Sequence, residues 1–335
     1  MQKEKKERKI SWYRSPVDRE VLNQLNQRSD LLGLAQTLGH LGLLALTGGL
    51  AIYAAGRAHW AVVVLILFLH GTFWAFLLNA FHELVHKTVF KSRMLNTFFL
   101  QLVSFLAWNH PVVFWASHQE HHKFTLHPPE DLEVVLPQKL TLKSFLKTAF
   151  INPWDFYHRL RFNIRAASGK VEGEWLTYLF PQSNTKGLRE VANFSRFHLI
   201  GHALIVVISL YFGWWMVPVV ITLAPFYGGG LQYLCNNTQH TGLMDNNPDY
   251  RLCTRTIYLN PFIQFLYWHM NFHIEHHMYA AVPCYRLPRL HAAIKNDLPP
   301  TLGLVDAWKE IIAILKKQEK DPKYQYMAPI PTRNG

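Results

Sequence analysis

The sequence predicts an all-α integral membrane protein, with four transmembrane helices in two hairpins beneath a histidine-rich cytosolic cap. Three observations predict it. Half of the 335 residues, 50%, are hydrophobic and only 17% are charged. No Asp, Glu, Lys or Arg occurs in the 26 residues between Asp30 and Arg57, the 25 between Arg57 and Glu83, or the 48 between Arg196 and Asp245. The third observation is the histidine content, 19 in all, much of it crowded just beyond those stretches. A bilayer-spanning helix needs about 20 apolar residues, so the three stretches hold one, one and two spans. A freely soluble globular enzyme is thereby excluded. Intrinsic disorder is excluded as well, since aromatic residues make up 14% of the chain.

Residues 1–30 read as a basic cytosolic N-terminal arm, partly helical, opening MQKEKKERK. It has no apolar core and therefore no cleavable signal peptide. The membrane domain covers 31–290. Its first two spans are expected over 31–56 and 59–80, joined by a Gly-Arg-Ala-His link short enough for a helical hairpin. Residues 94–116 are apolar but carry Asn96, Gln101, Asn109, His110 and Pro111, which predicts an interfacial or re-entrant segment rather than a span. Residues 123–195 are polar, with the turn-rich pieces HPPED, INPWD, AASGK and PQSNTKG, and predict a cap of short helices such as an amphipathic run from Leu140 to Phe150. The second hairpin is expected over 197–212 and 214–235, broken near Gly213 and thinned by Pro218 and Pro225. Gly228, Gly229 and Gly230 near its inner end permit close backbone approach. Residues 291–335 form a cytosolic C-terminal tail, with an amphipathic helix over Val305–Gln318.

The net charge of +12 invites a nucleic-acid reading, but its placement argues for a membrane. If the two links face outward, only Arg57 of the 34 Lys and Arg residues lies on that side. This is the positive-inside bias, and it places both termini and the cap in the cytosol. No basic stripe with interleaved aromatics forms a nucleic-acid platform. Cys235, Cys253 and Cys284 form no CxxC pair and are expected to be reduced.

Histidine spacing carries the chemistry. HELVH holds His82 and His86, HQEHH holds His118, His121 and His122, and HIEHH holds His273, His276 and His277. Residues at i, i+3 and i+4 share one face of a helix, so each cluster points its imidazoles into one volume. Neutral imidazole suits Zn, Cu, Fe and Ni. Eight ligands exceed what one ion takes from a protein, so two metal ions are implied. The first and third clusters follow the second and fourth spans and lie at the cytosolic end. The second joins them only if 94–116 does not cross. Isolated histidines (His40, His59, His70, His158, His198, His202 and His291) read as hydrogen-bonded core residues. HELVH alone also matches the zinc-protease HExxH pattern with Glu83 as general base, but that reading leaves the other two clusters without a role. A bis-histidine haem carrier or metal transporter needs histidines facing one another across the spans, and these lie beyond the span ends. The glutamates inside the clusters, Glu83, Glu120 and Glu275, are expected to orient the ligands by accepting their second N–H.

The three boxes, their order and the two hairpins over about residues 31–290 resemble the membrane fatty-acid desaturase superfamily, which also holds membrane hydroxylases and ketolases. The resemblance implies a di-iron centre of two ferrous ions and dioxygen as co-substrate, attacking unactivated C–H bonds. It implies an additional histidine ligand shortly before the third box, here His240 in NNTQH, with Asn236 four residues upstream as a water-mediated ligand. His269 is then a supporting residue, and His110 and His127 flank the second box. The implied activity is fatty-acid (acyl-lipid) desaturation, the alternative being hydroxylation or ketolation. Box one has three residues between its histidines where animal acyl-CoA desaturases have four, and QHTGL at Gln239–Leu243 is as similar to the hydroxylase branch. No GxGxxG and no HPGG segment is present, so the electrons are expected from a separate ferredoxin, rubredoxin or cytochrome b5-type donor.

Overall fold

The computed structural model describes residues 9–331; residues 1–8, and with them most of the basic MQKEKKERK start, lie outside it. Among the described residues the chain is helical, with a single pair of two-residue parallel strands, β1 (Ile257–Tyr258) and β2 (Leu302–Gly303). A short helix α1 (Arg19–Leu25), capped by Asp18, precedes α2 (Asp30–Ala54). After a tight link, α3 (Trp60–Ala75) returns and continues through a bend at Phe76 into α4 (Leu77–Val85). α2 and α3 pack as a hairpin whose outer faces leave Leu38, Leu46, Val64 and Leu65 exposed, as a lipid-facing surface requires. At about 1.5 Å per residue, the 25 residues of α2 exceed a hydrocarbon core of about 30 Å.

The apolar segment after box one is a bent pair, α5 (Arg93–Leu106) and α6 (Pro111–Phe124), turning by 103°. Trp108 sits at the break with φ +55. His110 caps α6 through Nδ1, and its Nε2 donates to Val191 O (3.0 Å). The loose carbonyls of the break are not left bare: Phe105 O accepts from Nε2 of both His198 and His202, each at 3.2 Å. Arg159 Nη1 donates to Ala107 O and Trp108 O. The pair leaves from His86 and comes back to His118, whose Nε2 atoms lie 3.1 Å apart. It therefore turns back on itself.

The chain continues with α7 (Leu142–Ala149), α8 (Pro153–Ala167) and α9 (Glu174–Leu179). Helix α10 (Thr185–Tyr211) starts well before the expected 197, because Arg189, Glu190 and Arg196 ride on one continuous helix instead of marking its end. The expected helix over 214–235 is broken. In its place stand α11 (Met216–Val220), a 3-10 turn over Ala224–Phe226, and α12 (Gly230–Asn236). Pro218 and Pro225 remove amide donors from any continuous helix. The freed groups pair elsewhere, as an apolar environment demands: Val220 O accepts from His70 Nε2 (2.9 Å), and Phe226 O from Asn152 N (2.7 Å). Gly71 lets the broken segment close on α3, since a Cβ there would stand 2.3 Å from the Tyr227 ring. Among the described residues, three helices are thus long and apolar enough to cross a membrane, or four if the bent pair counts as one.

The remainder of the chain is built around α13 (Tyr250–Cys253), α14 (Pro261–Leu266), α15 (His273–Met278), α16 (Leu287–Ile294) and α17 (Leu304–Lys320). The N-terminal arm is fastened to it. Trp12 stacks on Tyr250 at 4.2 Å and donates from Nε1 to Lys123 O, while Tyr13 and Ser15 both donate to Asp297 Oδ2.

Candidate metal centre

Each histidine cluster sits at the end of a helix or on a short one. His82 lies in the last turn of α4 and His86 caps it. All three histidines of HQEHH lie in the last two turns of α6, and all three of HIEHH on α15. On α6 and α15 the residues at i and i+4 face one way and the third faces the other. The result is two groups. His82, His86, His118, His122 and His276 bring one ligand atom each to within 4.8 Å of one another, and His121, His240 and His277 do the same. His273 joins the second group, with its Nε2 2.9 Å from His240 Nε2 and 3.2 Å from His277 Nε2. All nine predicted histidines are therefore brought together, five and four. Two nitrogens each about 2.1 Å from one ion and at right angles stand about 3 Å apart. The observed separations of 3.1 Å (His86–His118) and 3.0 Å (His118–His122) match that spacing.

The outer nitrogens decide what the inner ones are. His118 Nδ1 donates to Glu133 Oε1 and His121 Nδ1 to Asp131 Oδ2, each at 2.8 Å. His240 Nδ1 donates to Cys253 O (2.8 Å) and His277 Nδ1 to Thr125 Oγ1 (3.2 Å). Glu83 Oε1 accepts from His82 Nδ1 (3.2 Å) and stands 3.5 Å from His276 Nδ1. With the N–H proton on the outer nitrogen, the inward Nε2 of His118 and of His240 carries a lone pair. Such lone pairs, buried and turned toward one another, could hold a metal ion. Burial first, then the neighbouring imidazoles, push His240 down to about 3 and His273, His276 and His277 well below the usual range. These four imidazoles are thus favoured in the neutral form that binds metal, whereas at His121 burial is outweighed by the Asp131 carboxylate beside it, which raises it.

A sequence model of the fatty acid desaturase family matches residues 58–307. The chain belongs to the fatty acid desaturase family. Among its relatives is a sphingolipid delta(4)-desaturase DES1-like protein of Oryza sativa subsp. japonica, 24% identical over 302 residues, covering 88% of this chain and 83% of the relative. An Arabidopsis thaliana protein of the same description is 26% identical over 260 residues, covering 76% and 69%. This desaturase-family chain is an oxidoreductase.

Within this family member, two of the three expected orienting glutamates do something else. Glu120 pairs with Lys123 (2.7 Å) on the outer face of α6. Glu275 is buried but accepts from Thr256 Oγ1 and from His291 Nδ1, tying α15 to α16 and not to a ligand. Their place is taken by Asp131, the last residue of HPPED, and by Glu133 two residues on. Asp131 is fully buried, and Leu126 N (2.8 Å) and Glu133 N (2.9 Å) also donate to it. Burial alone would raise its carboxyl; the facing His121 and these amides outweigh that and hold it low. Glu83 is buried among imidazoles, against His82 and His276.

Of the isolated histidines, His40, His70, His198, His202 and His291 are buried and hydrogen-bonded, whereas His59 and His158 are exposed. His127 donates to Thr125 O (2.8 Å). His269 meets the Gln264 amide (3.1 Å) and belongs to neither group. Asn236 ends α12, one turn before His240, and is half-buried.

Proposed function

We propose that the two groups hold two iron ions and that the enzyme is a dioxygen-dependent desaturase of a lipid chain. His82, His86, His118, His122 and His276 hold one ion, and His121, His240, His273 and His277 hold the other, with Asn236 reaching the second through water. The observation that carries this is the convergence of nine imidazoles into two groups whose nitrogens are spaced like neighbouring ligands of one ion. Imidazole donors suit iron. Bound iron supplies dioxygen reduction and the power to oxidise an unactivated C–H bond. The chain's own residues do the rest. Asp131, Glu133, Glu83 and Thr125 fix the tautomer and direction of their imidazoles. Trp12, stacked on Tyr250, whose ring lies 5.4 Å from that of His277, covers the centre and excludes water. The balance of the reaction is one dioxygen, two electrons and two protons consumed, two hydrogens removed from adjacent carbons, and two waters released. The electrons come from a separate ferredoxin, rubredoxin or cytochrome b5-type protein.

The substrate is an aliphatic chain of a lipid, and the names of both relatives point to sphingolipid-type chains. An apolar cavity of about 520 Å³, lined by Val64, Phe68, Ile151, Phe156, Val219 and Tyr227, offers such a chain a wall without polar groups. In the membrane, α2 with α3–α4 and α10 with the broken segment 216–236 form the two hairpins, with the cap, both termini and the centre on the cytosolic side. The charge distribution supports this orientation. Mass spectrometry of lipids after expression with a reductase system tests the reaction: loss of two hydrogens supports desaturation, and gain of one oxygen transfers the enzyme to the hydroxylase branch.

A further inference from the structure

His240 is the one of the nine that lies neither in a helix nor at a helix cap. It lies in a run of turns from Asn237 to Leu243, between α12 and the loop leading to α13. A ligand on irregular backbone needs its position fixed from outside. Here the fixing comes from Arg255, a buried side chain that is 7% exposed. Arg255 Nη1 donates to Thr238 O (2.7 Å) and Thr241 O (3.2 Å), the carbonyls on either side of His240. Its own backbone N donates to Gln239 O (2.8 Å). The guanidinium thus grips the turn from both flanks of the ligand.

The charge of that guanidinium is balanced from the far end of the chain. Arg255 Nη2 meets Glu310 Oε1 of α17 at 3.2 Å, and Tyr326 donates from its hydroxyl to Glu310 Oε2 (2.7 Å). Burial, then the bond to Glu310, push Tyr326 up to about 12, so it remains a donor. Two more contacts run from α17, one to α12 just before the turn and one to the turn itself. Trp308 Nε1 donates to Leu234 O (3.0 Å). Gly242, at φ +79, lies so close to Ile314 that a Cβ there would stand 2.9 Å from it. Among the described residues no hydrogen bond links α17 to α4 or α6, which carry most of the first group. Glu310, Ile314 and Tyr326 all lie beyond residue 307, where the family match ends.

We propose that α17 and the segment after it form a brace which, through Glu310 and Arg255, positions His240 and so governs metal retention by the second histidine group alone. Arg255 and Glu310 are positioning residues; neither reaches the metal nitrogens. The proposal rests on the reading of the two groups as metal ligands. It makes the C-terminal tail a working part of the centre. A lysine at 255 keeps the charge but cannot hold two carbonyls and a carboxylate together, because it lacks the planar fork.

The test follows iron release from the purified, iron-loaded enzyme into excess chelator. Glu310→Leu and Arg255→Lys are expected to speed the release of one of the two ions by about tenfold or more, the size typical of lost outer-shell support, and to leave the other unchanged. His240→Ala identifies the affected ion by removing the same kinetic phase. Hydrogen exchange on the metal-free protein gives an independent readout: residues 237–243 exchange faster in Glu310→Leu, and residues 118–122 do not. Where Glu310→Leu does not accumulate in the membrane, Glu310→Gln and Tyr326→Phe decide by the same two readouts. Equal acceleration of both ions, or of neither, overturns the brace while leaving the metal reading intact. A wild-type enzyme that holds fewer than two ions overturns that reading first, and the brace with it.

Discussion

Asp131 Oδ2 and His121 Nδ1 meet at 2.8 Å, with the carboxylate fully buried and its other bonds taken by backbone amides. A buried carboxylate so arranged fixes the His121 tautomer and, with a metal bound as proposed, would make His121 a better ligand. Asp131→Asn keeps the size and loses the charge. It is expected to weaken metal retention by about 10–100-fold, read by chelator competition, with the protein still membrane-inserted. Unchanged retention would remove Asp131 from this role.

One ligand from each group makes a second prediction. His121→Ala and His276→Ala are both expected to abolish turnover while the protein still partitions into the membrane, because α2, α3 and α10 carry insertion. Assay of isolated membranes checks both halves. Near-normal activity in either variant takes that residue out of the ligand set.

Much of this was legible in the sequence, and what was not has physical reasons. The spans α2 and α3–α4 show as charge-free runs, and the boxes show because i, i+3 and i+4 is a helical period. The start of α10 was hidden, since Arg189 and Arg196 look like a loop but lie on the solvated face of a helix. The broken 216–236 segment was signalled by Pro218 and Pro225, but not its pairing with residues 148–152. Asp131 and Glu133 reach the ligands across a turn, at offsets of ten and fifteen residues, which no periodicity marks. The reach from Arg255 to Glu310 is longer still. Glu120 and Glu275 misled because proximity in sequence to a ligand is not direction toward it.

The Trp12 cover yields a third prediction. Trp12→Ala removes an aromatic stack, worth about 0.5–1.5 kcal/mol, and a hydrogen bond worth about 1 kcal/mol. A total loss of about 2 kcal/mol is expected in the stability of the solubilised enzyme. With water admitted to the centre, more dioxygen is consumed per lipid product formed. Parallel oxygen-electrode and product measurements check this; a ratio equal to that of the wild type contradicts the role of the cover.

Topology is testable with single cysteines, since Cys235, Cys253 and Cys284 are all buried. Cysteines placed at the exposed positions Ser11, Pro129 and Lys323 are expected to react with an impermeant reagent from the cytosolic side. Cysteines at Arg57 and Trp214 are expected to react from the opposite side. Any two of the first three labelled from opposite sides would refute the arrangement of two hairpins beneath one cap.

The most direct measurement is metal analysis of the purified enzyme. Nine imidazoles in two groups predict about two irons per chain, lost together with activity on chelation and restored with it by ferrous iron. One zinc per chain with negligible iron would contradict the account at its centre.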